Sequence, residues 1–377
     1  MSQFKKINWL SISDVHIGNT RTTADYILSN LRHSLFTENK IANLDLFILA
    51  GDFFDRLLEY NHPSSGDILL FIDKLLQECS KHNVYLRILE GTPSHDNKQN
   101  KIFDDLYNTG NYKCDMKYVD TLSVEYIKEW DVNVLYVPDK IRTTVKEVYD
   151  DTIALLQSLV IEQVDFCIMH GAFSYQLPDM AKEVYDEDAW LKIVKHYIFV
   201  GHVHIHNPYK RILPGGSFDR IAHGEEKPKG FLVGTMNLKG DPKKDTFYFI
   251  ENKRAKKYLT FKLFDYDVKS NLEYLEKQLI GVPNDSFIRI IAEKDNPILA
   301  NMVEVTKINL THHWIKDTFK TQEEDIQEQI DQDILEEWQS INIDKSNILD
   351  ILITRLSKKD ISGNILDLAT KFIKEVI

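Results

Sequence analysis

The sequence predicts an α/β domain in which short buried strands alternate with longer helices. Six short apolar runs fall within the first two hundred residues, and each ends abruptly in polar residues. Their nearly continuous apolar character is typical of strands that are covered on both faces. Segments with helical spacing of apolar residues lie between several of the runs, and this alternation indicates a layered α/β fold.

The predicted elements can be placed along the chain. The six strands are residues 7–12, 44–50, 84–89, 134–137, 164–169 and 197–200. Ser65 can cap a helix whose apolar residues recur at helical spacing, and residues 144–159 form a second helix by the same criterion. Because ligands of such folds bind beyond the carboxyl ends of the strands, we expect the functional site there.

The pattern changes after Gly230. Three strands, a helix and a further extended segment are predicted at residues 230–235, 246–250, 258–264, 270–279 and 286–292. From Lys316 onward the sequence is acidic, and its apolar residues recur at helical spacing. We therefore expect a core domain over residues 1–250, a small α+β domain over 251–315 and a helical segment over 316–377.

Composition narrows the class of protein. The chain has 377 residues, a formal net charge of −12 and three scattered cysteines, Cys79, Cys114 and Cys167. These cysteines fit neither a disulfide framework nor a zinc–thiolate cluster, and they favour a reducing compartment. The acidic charge argues against a broad basic surface that wraps nucleic acid, whereas a metalloenzyme gains local positive charge from its ions. The sequence suggests no signal peptide or membrane span, so we expect a cytoplasmic protein.

Carboxylates and imidazoles gather at the predicted strand ends. Asp14 and His16 are two residues apart, so in an extended segment their side chains share one face and reach the same ion. Asp52 follows a strand after Gly51, which allows a sharp turn. Further candidates near strand ends are His95 with its neighbour Asp96, and then His170, His202 and His204.

This mixed set of oxygen and nitrogen ligands suits manganese, iron or zinc better than calcium or an iron–sulfur cluster. The set is too large for one tetrahedral ion and about large enough for two ions that share a carboxylate. Two ions about 3.5–4 Å apart activate a hydroxide and clamp a phosphoryl oxygen, which predicts hydrolysis of a phosphate ester. Singly, each motif also has a plain structural explanation, such as a turn or a solvated loop. Two further histidines, His206 and His223, lie close to these motifs without an assigned role.

The motifs form an ordered set: Asp-x-His, Gly-Asp-x-x-Asp-Arg, Gly…His-Asp, His-Gly and Gly-His-x-His. Over about the first 220 residues this set resembles the calcineurin-like metallophosphoesterases. Within that superfamily the chain most resembles the SbcD-type nucleases of double-strand-break repair, through residues 51–55, 201–204, 214–220 and 224–231. The resemblance implies a four-layer β-sandwich flanked by helices, then a small α+β capping domain and a C-terminal helical segment, in a phage or bacterial protein.

The resemblance also implies a role for each motif residue. One ion would be held by Asp14, His16 and His204, the other by His170 and His202, with Asp52 bridging the two. His95 would stay off the metals, stabilise the transition state and help to protonate the leaving oxygen. Asp96 would orient the His95 ring, and Asp55 would support the site from behind the ligands.

One block departs from the family pattern. The family's third block reads Gly-Asn-His followed by an acid, and its asparagine binds the second ion. Here residues 91–96 read Gly-Thr-Pro-Ser-His-Asp, with two extra residues after the glycine. Ser94 stands where asparagine is expected and is taken as the metal ligand, with Thr92 as the alternative after a backbone shift. A neutral hydroxyl is a poorer ligand than an amide oxygen.

Cofactor and partners follow from the resemblance as expectations. We expect two divalent ions, with manganese first and magnesium, iron or zinc as alternatives, and DNA as the substrate. Relatives pair with a coiled-coil ATPase of the SMC type, the SbcC-type subunit, and usually form homodimers. The helices after Lys316 would then be a docking arm for the ATPase, or they simply pack on the core. No membrane is expected, and a phage-encoded enzyme would act in the bacterial cytoplasm.

Two other functions stay open at this point. The same metal site serves small-molecule and phosphoprotein phosphatases. The altered block near Ser94 also allows a catalytically weakened scaffold that bridges an ATPase to DNA. The presence of His95, Asp96 and the remaining ligands is unlike a decayed site.

Overall fold

The computed structural model describes residues 6–59, 61–177 and 183–319. The chain divides into two compact units, Met1–Phe319 and Lys320–Ile377, and the fold described below is that of the first. The described helices are α1 Ala24–Arg32, α2 Ser65–His82, α3 Lys101–Thr109, α4 Val145–Ser158, α5 Glu187–Ile193, α6 Val268–Gln278 and α7 Met302–Lys307. Among the described residues, none of the helices has the length and apolar character needed to span a bilayer.

The described strands are β1 Lys6–Ile12, β2 Leu46–Ala50, β3 Tyr85–Leu89, β4 Met116–Val119, β5 Ser123–Ile127, β6 Val132–Val137, β7 Phe166–His170, β8 Ile198–Gly201, β9 Ile212–Pro214, β10 Gly230–Asn237, β11 Thr246–Glu251, β12 Tyr258–Leu263, β13 Phe287–Ala292 and β14 His313–Thr318. Helices and strands are thus interleaved, and the mixed α/β class predicted from the sequence is confirmed. The six strands predicted in the first two hundred residues correspond to β1, β2, β3, β6, β7 and β8.

Two large sheets form the body of the described chain. The first has the order β11-β10-β1-β2-β3-β4. Strands β1 to β4 are parallel, β10 pairs antiparallel with β1, and the edge strand β11 pairs antiparallel with β10. The second has the order β5-β6-β7-β8-β9, with β6 to β9 parallel and β5 antiparallel at its edge. The carboxyl ends of the parallel strands in each sheet therefore lie on a common edge.

The two sheets pack face to face around a shared core. Trp9 of β1 and Leu232 of β10 meet Val134 of β6 and Phe199 of β8 in this core. The rings of Trp9 and Phe199 lie edge to face with centroids 4.7 Å apart, and both side chains are fully buried. Strands β2 and β7 are buried along their whole length, which explains why their sequences are continuously apolar.

Helices cover the outer face of each sheet. Leu28 of α1, Phe71 of α2 and Phe103 of α3 pack on the first sheet. Leu156 of α4 and Trp190 of α5 pack on the second. The order across the described body is therefore helices, sheet, sheet, helices.

The two predicted helix starts have different outcomes. Thr144 caps α4, because its hydroxyl accepts a hydrogen bond from the Glu147 backbone N–H and the Glu147 carboxylate accepts one in return. Ser65 is instead the first residue of α2, so its prediction as the cap is wrong by one position. Ser64 precedes the helix, and its hydroxyl donates to Asp25 over 2.9 Å.

A third sheet, in the order β12-β13-β14, is parallel throughout and has its own apolar core. Leu275 of α6 and Val305 of α7 pack there with Ile290 of β13. Lys316 pairs with Ile290 inside β14, so the prediction of helix from Lys316 onward is wrong for residues 316–318. Pairing with β13 gives this backbone its hydrogen-bond partners, which outweighs the local helical pattern. The rest of the predicted helical segment, residues 320–377, lies outside the described residues.

A buried ion pair joins the first two sheets. Arg87 of β3 is 1% exposed, and its guanidinium donates to both carboxylate oxygens of Glu125 of β5, each over 2.9 Å. The Tyr136 hydroxyl of β6 donates to the same carboxylate over 2.5 Å. Two nitrogens of the planar guanidinium, Nε and Nη2, bind one carboxylate, and this bidentate geometry constrains how the two sheets approach each other.

We expect Glu125→Ala to lower the free energy of unfolding by about 2 kcal/mol, because the buried guanidinium loses its bidentate partner and keeps only the exposed Asp115 carboxylate, 2.9 Å away. Chemical denaturation followed by circular dichroism measures this loss. Lys74→Ala is the matched control, since its pair with Glu78 lies on the surface of α2 and is worth about 0.5 kcal/mol. Equal unfolding midpoints for the two variants would contradict a role for Glu125 in joining the sheets.

Candidate metal centre

The predicted ligands come together where the carboxyl ends of the two large sheets meet. Asp14 and Asp52 follow β1 and β2 of the first sheet, whereas His170 ends β7 and His202 follows β8 of the second. Ligand atoms lie within 4.8 Å of one another in three groups: Asp14 with His16 and His204, Asp52 with His170 and His202, and His16 with Asp55 and His95. Residues far apart in the sequence thus converge on one place.

The first cluster consists of Asp14, His16 and His204. The Nε2 atoms of His16 and His204 lie 2.9 Å apart. The Asp14 Oδ1 atom accepts the backbone N–H of His202 over 2.8 Å, and its buried Oδ2 atom has no hydrogen-bond partner among the described residues. Because a buried carboxylate oxygen without a partner is costly, this donor set fits a divalent cation.

The second cluster consists of Asp52, His170 and His202, with Thr92 between them. The Asp52 Oδ2 atom lies 3.1 Å from His170 Nε2. His170 Nδ1 donates to the Ala50 carbonyl over 2.8 Å, which orients Nε2 toward the cluster. The Thr92 hydroxyl lies 3.2 Å from Asp52 Oδ2, 3.3 Å from His170 Nε2 and 3.4 Å from His202 Nδ1.

Thr92, rather than the predicted Ser94, is the hydroxyl that reaches this cluster. The backbone N–H of Thr92 donates to Asp52 Oδ1 over 2.6 Å, which holds its side chain against the carboxylate. Within the described chain, no hydrogen bond joins Ser94 to the ligands. The choice of Ser94 is therefore corrected in favour of the alternative, because the chain turns toward the cluster directly after Gly91. The bridging role predicted for Asp52 stays a prediction.

Backbone strain accompanies the ligands. Asp14, His16 and Asp52 have φ values of 50°, 57° and 52°. Residues other than glycine are uncommon in this left-handed region, and such conformations gather at functional sites. Gly51 has a φ of 86°, and a Cβ atom there would lie 2.3 Å from His170 Nδ1. Only glycine therefore allows His170 to approach this closely.

His95 lies beside the first cluster. Its ring centroid is 4.8 Å from that of His16, and its Nδ1 atom donates to the Asp55 carbonyl over 2.7 Å. The prediction that Asp96 orients this ring is wrong. The buried Asp96 carboxylate instead accepts four hydrogen bonds, from the backbone N–H groups of Asp52, Phe54 and Gly91 and from the Asn100 amide. It turns toward these donors because they would otherwise be buried without acceptors.

Asp55 supports His16 from behind. Its Oδ1 atom lies 3.5 Å from His16 Nδ1 and accepts a hydrogen bond from Asn19 over 3.0 Å. Its Oδ2 atom pairs with Arg56 over 2.7 Å. Burial alone would raise the pKa of Asp55, but its contacts with His16, Asn19 and Arg56 hold that pKa well below the usual range. Asp55 is thus ionised and lies within ion-pair distance of His16, and its supporting role stays a prediction.

Sequence reasoning missed two acids at the site. Glu225 accepts a hydrogen bond from His204 Nδ1 over 2.5 Å. Asp139 follows β6, and its Oδ2 atom is buried without a hydrogen-bond partner among the described residues. The strand-end rule that selected the ligands also applies to Asp139. Glu225 lies in the segment 224–231 that carries part of the resemblance, but no strand-end signal assigns it a role at the site.

The two unassigned histidines lie outside the three ligand groups. His206 Nδ1 donates to the Pro214 carbonyl over 2.8 Å, and its ring stacks on Phe249 with centroids 4.6 Å apart. The ring of His223 packs edge to face against Tyr258. His206 is therefore a packing residue, and His223 contacts the third sheet.

Comparisons with known proteins leave the site to be interpreted from its own geometry. No protein-family model matches the chain, and no curated protein matches it. One solved crystal structure, matched over 100% of its own length, covers 66% of this chain at 12% identity and a TM-score of 0.39. A likeness of this size carries no argument about function.

We expect Thr92→Val to weaken the binding of a divalent ion at the second cluster about tenfold, because the isosteric side chain lacks the hydroxyl beside Asp52, His170 and His202. Calorimetric titration of the metal-free protein measures this change. Ser94→Ala is the matched control and should leave both affinities unchanged. The reverse result, a weakened Ser94→Ala and a neutral Thr92→Val, would restore Ser94 as the ligand.

A buried acid on the same loop gives the fold a pH dependence. Glu90 is 6% exposed and accepts hydrogen bonds from the Tyr118 hydroxyl, over 3.0 Å, and from the Lys98 backbone N–H. Burial, together with the charges of Asp120 and Asp52, raises the pKa of Glu90 from 4.5 to about 7. The folded state thus binds this proton more tightly, so the free energy of unfolding falls as pH rises through this range.

We expect Glu90→Gln to raise the free energy of unfolding at pH 8 by up to about 3 kcal/mol and to change it much less at pH 5, because the amide never ionises. Thermal unfolding at both pH values, in EDTA so that bound ions do not alter the local charge, measures the difference. An equal effect of the substitution at pH 5 and pH 8 would exclude ionisation of Glu90 as its cause.

Proposed function

We propose that the chain is a metal-dependent phosphodiesterase that cuts DNA, as the nuclease subunit of an SbcCD-type recombination and repair complex. The observation that carries this proposal is the convergence of two aspartate–histidine clusters and His95 at the carboxyl ends of two facing sheets. The order of helices, sheet, sheet and helices supports the four-layer sandwich that the sequence resemblance implies.

The two clusters suit two divalent ions, with manganese first and magnesium, iron or zinc as alternatives. The proposed ligands are Asp14, His16 and His204 for one ion, and Asp52, Thr92, His170 and His202 for the other. When bound, such a pair supplies an activated water and neutralises the charge of the phosphoryl oxygens. The protein supplies the positions of the ligands, which the backbone strain at Asp14, His16 and Asp52 fixes before any ion binds.

His95 is the proposed proton donor to the leaving oxygen. Because its Nδ1–H donates to the Asp55 carbonyl, a second proton on the ring can reside only on Nε2. That proton is the one available to a leaving group beside the first cluster. The carbonyl of Asp55 therefore orients this ring, while the Asp55 carboxylate supports His16.

The substrate and the partners rest on the sequence resemblance. Residues 214–220 and 224–231 favour DNA over a small phosphoester. The same resemblance proposes an SbcC-type coiled-coil ATPase as partner, a homodimer, and action in the cytoplasm, of a bacterial host if the protein is phage-encoded. The third sheet and its helices, from Tyr258 to Thr318, are the proposed cap. The proposed docking arm lies almost wholly outside the described residues.

We expect His95→Ala to slow manganese-dependent degradation of labelled linear DNA at least about a hundredfold, because the leaving oxygen loses its proton donor. EDTA should abolish the activity of both proteins. His33→Ala is the matched control, since His33 lies beyond the end of α1 with a half-exposed side chain. Equal rates for the parent and His95→Ala would remove His95 from the mechanism.

The same preparations separate the alternatives. A nuclease should prefer a nitrophenyl phosphate diester to the monoester, whereas preference for the monoester would indicate a small-molecule or phosphoprotein phosphatase. If DNA stays intact, the ATPase partner is added. Absence of activity on every substrate, with the ATPase partner present, would indicate a scaffold protein.

A further inference from the structure

The segment between β9 and β10 contacts His204 through one acid, Glu225. Glu225 Oε1 accepts a hydrogen bond from His204 Nδ1 over 2.5 Å, and the Glu225 side chain is 15% exposed. Its Oε2 atom accepts the backbone N–H of Ile221 over 3.0 Å and lies 3.4 Å from Lys229 Nζ. Both oxygens of this carboxylate therefore have partners within the protein.

Lys229 connects the acid to the backbone of the same histidine. It is 1% exposed, and its ammonium donates to the His204 carbonyl over 2.9 Å and to the Ser217 hydroxyl over 2.7 Å. The side chain of His204 is thus held through Glu225, and its main chain is held through Lys229. Buried ion pairs seldom add net stability over apolar packing, so stability alone does not account for this arrangement.

We propose that Glu225 is the positioning residue that fixes the ring and tautomer of His204 for the first ion, and that Lys229 holds Glu225 in place. A carboxylate only accepts hydrogen bonds, so His204 must carry its proton on Nδ1. In the neutral ring Nε2 then carries the lone pair, 2.9 Å from His16 Nε2 in the first cluster. This inference rests on the metal centre of the proposed function and adds a role that the ligands alone do not show.

A second buried pair in the same fold provides the comparison. His196 Nδ1 lies 2.6 Å from Asp245 Oδ2, and both side chains are buried. The other ring nitrogen of His196 faces the Leu238 carbonyl rather than a ligand cluster. The two pairs share their chemistry. They differ in exposure, since the His204–Glu225 pair is partly exposed, and in what the second ring nitrogen faces.

The test is calorimetric titration of the metal-free full-length protein with manganese. We expect Glu225→Ala to weaken the first ion about 10–100-fold, the size typical of a lost partner behind a metal-bound histidine. Glu225→Gln keeps a hydrogen-bond acceptor and should restore part of that loss. Lys229→Met should weaken the same ion by less than Glu225→Ala. Asp245→Ala is the control: it should lower the unfolding temperature and leave both manganese affinities unchanged.

A spectroscopic readout separates positioning from simple structural support. Nitrogen-15 spectra of histidine-labelled, metal-free protein should report the Nδ1–H tautomer for His204 in the parent and a mixture of tautomers in Glu225→Ala. His204→Gln assigns the signal. Parent-like tautomer and manganese affinity in Glu225→Ala would overturn the proposal. If Glu225→Ala does not fold, a parent-like affinity in both Glu225→Gln and Lys229→Met would overturn it.

Failure of the metal centre gives a different result. A parent protein that binds no manganese in the titration would remove the proposed function together with the role of Glu225. A parent that binds two ions with an unchanged Glu225→Ala would remove only the role of Glu225. A weakened Glu225→Ala beside a normal Asp245→Ala supports both.

Discussion

The buried carboxylate of Asp96 is the interaction on which the site depends. It accepts the backbone N–H groups of Asp52, Phe54 and Gly91, each over 2.8–2.9 Å, and so ties the loop after β2 to the loop after β3. These hydrogen bonds satisfy buried backbone donors and hold Asp52 in a left-handed conformation. With Asp52 fixed, Thr92 donates its N–H to the Asp52 carboxylate. An acid that never faces the ligands thereby sets their geometry.

The ligands belong to both large sheets, so the centre exists only while the sheets stay in register. A Cβ atom on Gly201 of β8 would lie 2.3 Å from the Ala50 carbonyl of β2, which shows how closely the two strand ends approach. The core between the sheets, with Trp9 against Phe199, and the Arg87–Glu125 pair maintain this approach. An ion held by residues of both sheets would therefore favour the folded arrangement.

Local patterns predicted much of the fold and most of the ligands. Asp14, Asp52 and His170 were found because each lies at or directly after the end of a buried strand, and strand ends can be read from a few neighbouring residues. The choice between Ser94 and Thr92 depends on the path of the turn after Gly91, which only its contact with Asp52 decides. The bonds from Asp52 and Phe54 to Asp96, the bond from His204 to Glu225 and the pairing of Lys316 in a strand join distant residues, so no local pattern contains them.

The supporting contacts make the two clusters unequal. His170 of the second cluster donates Nδ1–H to a neutral backbone carbonyl, whereas His204 of the first cluster donates to the carboxylate of Glu225. A charged acceptor makes the opposite ring nitrogen a stronger donor to a metal. The first cluster also contains an Asp14 oxygen without a hydrogen-bond partner among the described residues, whereas the second relies on the neutral hydroxyl of Thr92. If two ions bind, this difference favours tighter binding in the first cluster. The occupancy of the second cluster then depends more strongly on the metal concentration.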